Sequence, residues 1–144
     1  MRCALIAVLV SIEVLAADLV RRNGVEEDLE RAAFLGRDAD GNLFLWEWQS
    51  RRFRTAVWSG AIPEGVFAVI HTHPVRLPRP SPQDVSEASR IGMPIYVATR
   101  VTLCVAQPSG EVRCESAKAR AQKGSVATAG HDRRAAVLQV NPKR

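Results

Sequence analysis

With 144 residues, 47% of them hydrophobic and 24% charged, the chain can bury one compact core and is too short for two domains of ordinary size. Its formal charge of +5 lies behind Cys114, where seven basic residues face two acidic ones in an Ala/Gly/Ser/Gln-rich segment. That segment has no aromatic side chain to stack on bases, so no nucleic-acid partner is expected and residues 115–144 read as a basic flexible tail.

In chain order, Met1-Arg2 leads into an apolar run over residues 3–10. Two readings of residues 1–16 stay open. One is a signal peptide cut after Val14-Leu15-Ala16, which would place the protein in a secreted or periplasmic setting rather than the cytoplasm. The other is a first buried segment running into a helix, and Glu13 together with the single basic residue ahead of the run weighs toward it. Asp18, Arg21 and Arg22 follow too soon for a stable membrane span.

Residues 16–23 have helical composition and Gly24 can stop them. The acidic stretch 25–30 leads either into a further turn or into a strand. Residues 31–37, an Asp/Gly/Asn turn at 38–42, and residues 43–48 spell strand, turn, strand. A third strand is predicted at 53–58. Trp46, Trp48 and Trp58 are expected to fill the core or cover one sheet face.

Residues 66–70 form an almost wholly apolar run, as a central strand covered on both faces requires, and they deliver the chain into His71-Thr72-His73-Pro74. A proline-rich loop over 74–80 precedes Ser81-Pro82-Gln83-Asp84 and a predicted helix to Arg90, stopped by Gly92 and Pro94. Strands are predicted at 95–99, 101–106 and 111–114. Cys104 and Cys114 flank the turn Pro108-Ser109-Gly110. They therefore face each other across a hairpin, which permits a disulfide without requiring one.

The chemistry gathers at the end of the apolar strand. Residues two apart in a strand share a face, so His71 and His73 present two imidazoles side by side. Asp84 can return over that strand end from the first turn of the next helix. Two neutral nitrogens and one carboxylate leave a fourth tetrahedral position open, the pattern of catalytic zinc sites. Ser81 and Asp84 also have a plain structural reading as N-cap and N3 of a helix, with Pro82 at N1. Both readings hold together, because an N3 backbone can be fixed while its carboxylate turns toward a metal.

His71-Thr72-His73-Pro74, six residues, then Ser81, two residues and Asp84 resembles the His-x-His-Pro…Ser-x-x-Asp signature of the JAMM (Jab/MPN) zinc metallopeptidases, in the form of prokaryotic JAB domains. The resemblance implies an α/β (α+β) fold over residues 17–114, a single domain with a curved mixed sheet flanked by helices in a cytidine-deaminase-like architecture. It further implies Zn2+ on His71, His73 and Asp84, and Ser81 as donor to a developing oxyanion. The family also uses an upstream glutamate to take a proton from water. Glu30, ahead of Arg31-Ala-Ala-Phe-Leu-Gly36, is the residue similar to it; Glu26 and Glu27 are alternatives, and Glu47 is a poorer match. The implied partner is a peptide or protein substrate, including a ubiquitin-like conjugate, with an open groove at the site. A non-catalytic MPN-type scaffold and a secreted zinc hydrolase of another peptide are the competing readings. Oligomeric state has no determinant in the sequence.

Overall fold

The protein is described by a computed structural model covering residues 2–23, 30–48 and 60–116, with side chains from residue 12 onward. The elements in chain order are α1 (Arg2–Asn23), β1 (Ala32–Arg37), β2 (Leu43–Trp48), β3 (Val66–Thr72), α2 (Pro82–Ile91), β4 (Ile95–Ala98), β5 (Thr102–Ala106) and β6 (Val112–Ser116). The strands form one sheet in the order β2-β1-β3-β4-β5-β6. Among the described strands only β3 and β4 run parallel; they are joined through α2, as a parallel pair requires a crossover.

The alternation of β3 assigns its two faces. Ala68 and Ile70 pack with Ala33, Leu35 and Leu103 against α1, while Val69 packs with Ile95, Ala88 and Val85 on the α2 side. From α1, the side chains of Ile12, Leu15, Ala16 and Leu19 enter the first cluster, at the i, i+3, i+4, i+7 spacing of one helical stripe. Each buried Leu or Ile there contributes about 1.5–3 kcal/mol of transfer free energy. Gly36 stands opposite Phe44 in the β1–β2 ladder, and the Phe44 ring covers the place where a Cβ would be.

Several expectations are refined. The first helix extends back to Arg2 instead of beginning near Ala16, and from Ile12 onward its apolar stripe lies against the sheet. Residues 12, 15 and 16 are thus core positions of the domain. The strand predicted at 95–99 ends at Ala98 and its partner starts at Thr102, since the Thr99 hydroxyl accepts the Val101 and Thr102 amides and closes a tight turn. β6 runs on to Ser116, so residues 115 and 116, expected in the tail, pair with Leu103 and Thr102. Cys104 and Cys114 are cross-strand partners joined in a disulfide. Trp46 and Trp48 pack on Phe34 at centroid distances of 6.3 and 4.4 Å. The strand predicted at 53–58, Trp58, Glu26, Glu27 and the remainder of the tail lie outside the described residues. No helix among the described residues is long and apolar enough to cross a membrane.

Candidate metal centre

Three elements meet at the C-terminal end of β3. His71, the next-to-last residue of β3, and His73, just beyond the strand, share the parity of Val69 and so face α2. Their rings lie 4.7 Å apart at 86°. The His73 amide still donates to the Ala98 carbonyl at 3.0 Å, which keeps the residue in strand-like register beyond the formal end of β3. Glu30 arrives from the other neighbour. The β1–β3 register pairs Ala32 with His71; continued two residues back, it sets Glu30 opposite His73, on the same face. That continuation is held by two bonds at Thr72, whose amide donates to the Arg31 carbonyl at 2.8 Å and whose Oγ1 accepts the Arg31 amide at 3.0 Å.

α2 supplies the fourth group. Ser81 is its N-cap and Pro82 its first residue, and Ser81 and Asp84 form a reciprocal capping box. Asp84 Oδ2 accepts both the Ser81 amide at 2.7 Å and the Ser81 hydroxyl at 2.8 Å. The other oxygen is left for the histidines: Oδ1 lies 3.0 Å from His71 Nε2. The capping bonds fall on Oδ2, so they do not bar Asp84 from a ligand role through Oδ1.

The remaining distances are those of groups around a common point. Glu30 Oε2 is 3.8 Å from His71 Nδ1, and Glu30 Oε1 and Asp84 Oδ2 are each 3.7 Å from His73 Nε2. These exceed hydrogen-bond range. Although Asp84 Oδ1 is near in distance, the contact lacks hydrogen-bond geometry, and the buried His71 Nε2 has no hydrogen-bond partner. Ligand atoms of Glu30, His71 and His73 lie within 4.8 Å of one another, so these three can hold a metal ion.

The protonation of His73 sharpens the point. Its Nδ1 is 3.0 Å from the Leu77 carbonyl; a carbonyl only accepts, so Nδ1 carries the proton and Nε2 presents a lone pair. Burial, reinforced by neighbouring His71, holds the His73 pKa below its ordinary value and favours this neutral form. A lone pair facing two carboxylate oxygens is repulsive unless a cation lies among them. Burial also pushes the Asp84 carboxyl up, but interactions with His71 and Ser81 outweigh it and hold its pKa at about 2. An anionic Asp84 beside neutral His73 is the donor set that a divalent cation fits.

The structure thus brings Glu30, His71, His73, Ser81 and Asp84 together. Glu47 is elsewhere: its carboxylate pairs with Arg31 Nη1 at 2.6 Å and Arg22 Nη1 at 3.2 Å, a tie between α1, β2 and the start of β1. Sequence reading passed over Thr72 and the Leu77 carbonyl. Neither carries a signal in the motif, since Thr72 points away from the histidines and a backbone carbonyl is the same atom in every residue.

Residues 5–116 match the family described as prokaryotic homologs of the JAB domain. No curated protein and no solved structure matches the chain. The JAB domain and the Glu30/His71/His73 group fit a hydrolase.

Proposed function

The chain belongs to the family of prokaryotic homologs of the JAB domain, and on that premise we propose that it is a zinc-dependent hydrolase of peptide or isopeptide amide bonds. The observation that carries this is the His73 Nε2 lone pair directed at two carboxylates 3.7 Å away, beside a buried His71 Nε2 without a hydrogen bond. Such a cluster of nitrogen and oxygen donors suits zinc. His71, His73 and Asp84 would hold the ion, which supplies positive charge that polarises a carbonyl and acidifies water.

The other roles belong to the chain. Glu30 stands where the sheet register, continued from the Ala32–His71 pair, fixes its backbone. It accepts a proton from water as the water attacks the carbonyl carbon, then returns the proton to the leaving amine. Leu77, through its carbonyl, keeps His73 in the ligating tautomer. Ser81 orients Asp84 at rest. A hydroxyl proton serves one acceptor at a time, so Ser81 acts on the oxyanion only by rotating off Asp84 Oδ2. A ubiquitin-like conjugate as substrate is supported by the family resemblance alone.

The Cys104–Cys114 disulfide favours a second reading of the setting, in which the same hydrolase meets its peptide in an oxidising compartment. Loss of residues 1–16 would strip Ile12, Leu15 and Ala16 from the core, so this reading implies delivery without a cut at Ala16.

Zinc content and hydrolysis are measured on wild type, Glu30→Gln and His73→Gln purified without chelator. One zinc in wild type and Glu30→Gln, none in His73→Gln, and cleavage by wild type alone support the assignment. Zinc lost with Glu30→Gln would make Glu30 a ligand. Wild type that takes up no zinc when supplied with it would sink the proposal, and zinc without hydrolysis would leave a non-catalytic scaffold.

A further inference from the structure

Thr99 is a buried polar residue, 4% exposed, that the proposed mechanism does not use. Its hydroxyl oxygen accepts the Val101 amide at 3.2 Å and the Thr102 amide at 3.0 Å. Two donors fill both lone pairs of a hydroxyl, so Thr99 is left to donate its own proton, and Thr102 Oγ1 lies 2.9 Å away. The Thr102 proton is then free for the Pro78 carbonyl at 3.1 Å. The hydrogen bonds therefore run in one direction, from the amides of the β4–β5 turn through Thr99 and Thr102 to the loop that leaves His73.

Pro78 is where that loop meets the sheet. The Leu77 carbonyl, one peptide earlier, is 3.0 Å from His73 Nδ1, and the Arg79 backbone also favours a protonated nitrogen on that ring. The Pro78 carbonyl between them is engaged by β5 instead. Cys104 Sγ is 3.2 Å from the same oxygen, but it is bonded to Cys114 and has no proton to give. The Thr102 hydroxyl has one.

His73 is thus tied twice to one turn. Its amide donates to the carbonyl of Ala98, the residue before Thr99, at 3.0 Å. Its ring reaches the same turn through Leu77, Pro78 and Thr102. The pyrrolidine ring locks φ of Pro78, so a single rotation, its ψ, separates the Pro78 carbonyl from the peptide that carries the Leu77 carbonyl.

We infer that Thr102, oriented by Thr99, is a positioning residue of the metal centre: by holding Pro78 it keeps the Leu77 carbonyl on His73 Nδ1, and so keeps the proton off Nε2. The competing tautomer has partners waiting. Glu30 Oε1 and Asp84 Oδ2, each 3.7 Å from His73 Nε2, attract a proton on that nitrogen once Leu77 no longer holds it on the other. Nε2 then has no lone pair for a cation. The use of that lone pair for zinc rests on the hydrolase reading; the tautomer does not.

The test is Thr102→Val, which keeps the β-branched shape and removes the donor, beside Thr102→Ser, which keeps the donor. Imidazole nitrogen chemical shifts are read by NMR on metal-free protein carrying isotope-labelled histidine, at about pH 8, where an ordinary imidazole is neutral. The His73 signals are identified by their absence from His73→Gln. Wild type and Thr102→Ser should show a protonated Nδ1 and a bare Nε2. Thr102→Val should move the proton toward Nε2 and draw the two shifts together. In competition with a chromogenic chelator, its Zn2+ dissociation constant should rise about tenfold, with the serine variant close to wild type. Valine is a good strand former at this half-buried position, and unchanged far-UV circular dichroism would confirm folding of each variant. Wild-type nitrogen shifts in Thr102→Val, or a serine variant that behaves like the valine one, would overturn the inference. So would weaker zinc binding with the tautomer unmoved, which general loosening alone produces. The expected tautomer changes in a protein that takes up no zinc, or takes it up without hydrolysis, would count against the hydrolase and leave the role of Thr102 standing.

Discussion

Thr72→Val tests how Glu30 is held. The substitution is nearly isosteric at a residue 2% exposed, and it replaces the hydroxyl that accepts the Arg31 amide at 3.0 Å with a methyl group. The backbone bond from the Thr72 amide to the Arg31 carbonyl at 2.8 Å remains. An N–H left without an acceptor in a part-buried place costs about 1–3 kcal/mol, and the chain can avoid that cost only by turning the Arg31 peptide, which carries Glu30 with it. Thr72→Val should therefore lose about 1–3 kcal/mol of unfolding free energy in urea and reduce kcat with little change in KM, since no substrate-facing group is altered. Thr72→Ser keeps the acceptor and should recover most of the kcat. Zinc content is expected to persist in both, because His71, His73 and Asp84 are untouched. A Thr72→Val protein that matches wild type in stability and turnover, or a serine that fails to restore what valine removes, would show that the Thr72 hydroxyl does not hold Glu30 in place.

Acid unfolding of the metal-free protein carries a signature of Asp84. Its pKa of about 2 lies below the ordinary 3.8, so the folded state binds fewer protons than the unfolded state between those values. The stabilisation is full above pH 4 and lost as pH falls through about 2, roughly 2 kcal/mol in all; Asp84→Asn should flatten that limb in pH-dependent urea titrations, and an unchanged slope would contradict the assignment. Gly65 has φ +82° and a Cβ there would stand 2.4 Å from the Arg37 carbonyl oxygen, so Gly65→Ala should cost at least about 2 kcal/mol. Gly36→Ala, which meets the Phe44 ring, should cost about 1–3 kcal/mol; calorimetry checks both. Reducing the Cys104–Cys114 bond, which closes a separation of 10 residues, should lower stability by about 2–3 kcal/mol on the chain-entropy account, read as a drop in melting temperature with added reductant that Cys104→Ser/Cys114→Ser does not show.

Much of the architecture was legible because it is written in local periodicity. The apolar run of β3, the Asp/Gly/Asn turn between β1 and β2, and the Ser81-Pro82-Gln83-Asp84 start of α2 each report a period or a cap that needs only near neighbours. The His71/His73 pair and Asp84 were visible for the same reason, as strand alternation followed by a helix N-terminus. The extent of α1 was less so, since an apolar run of that length suits a leader, a strand or a helix equally; that Ile12, Leu15, Ala16 and Leu19 pack on the sheet is a tertiary fact. The residues that follow Glu30 favour it over Glu26 and Glu27 by resemblance alone, and no local pattern shows what it approaches. The approach of Glu30 to the histidines depends on the register of β1 against β3, an antiparallel pairing across about forty residues. Tertiary structure alone decided that register, the use of Thr72 Oγ1 to hold it, and the Leu77 carbonyl that sets the His73 tautomer. The sequence by itself determined which donors exist and on which face of their own element they lie; their distances from one another are properties of strand pairing and loop closure, which no local pattern encodes.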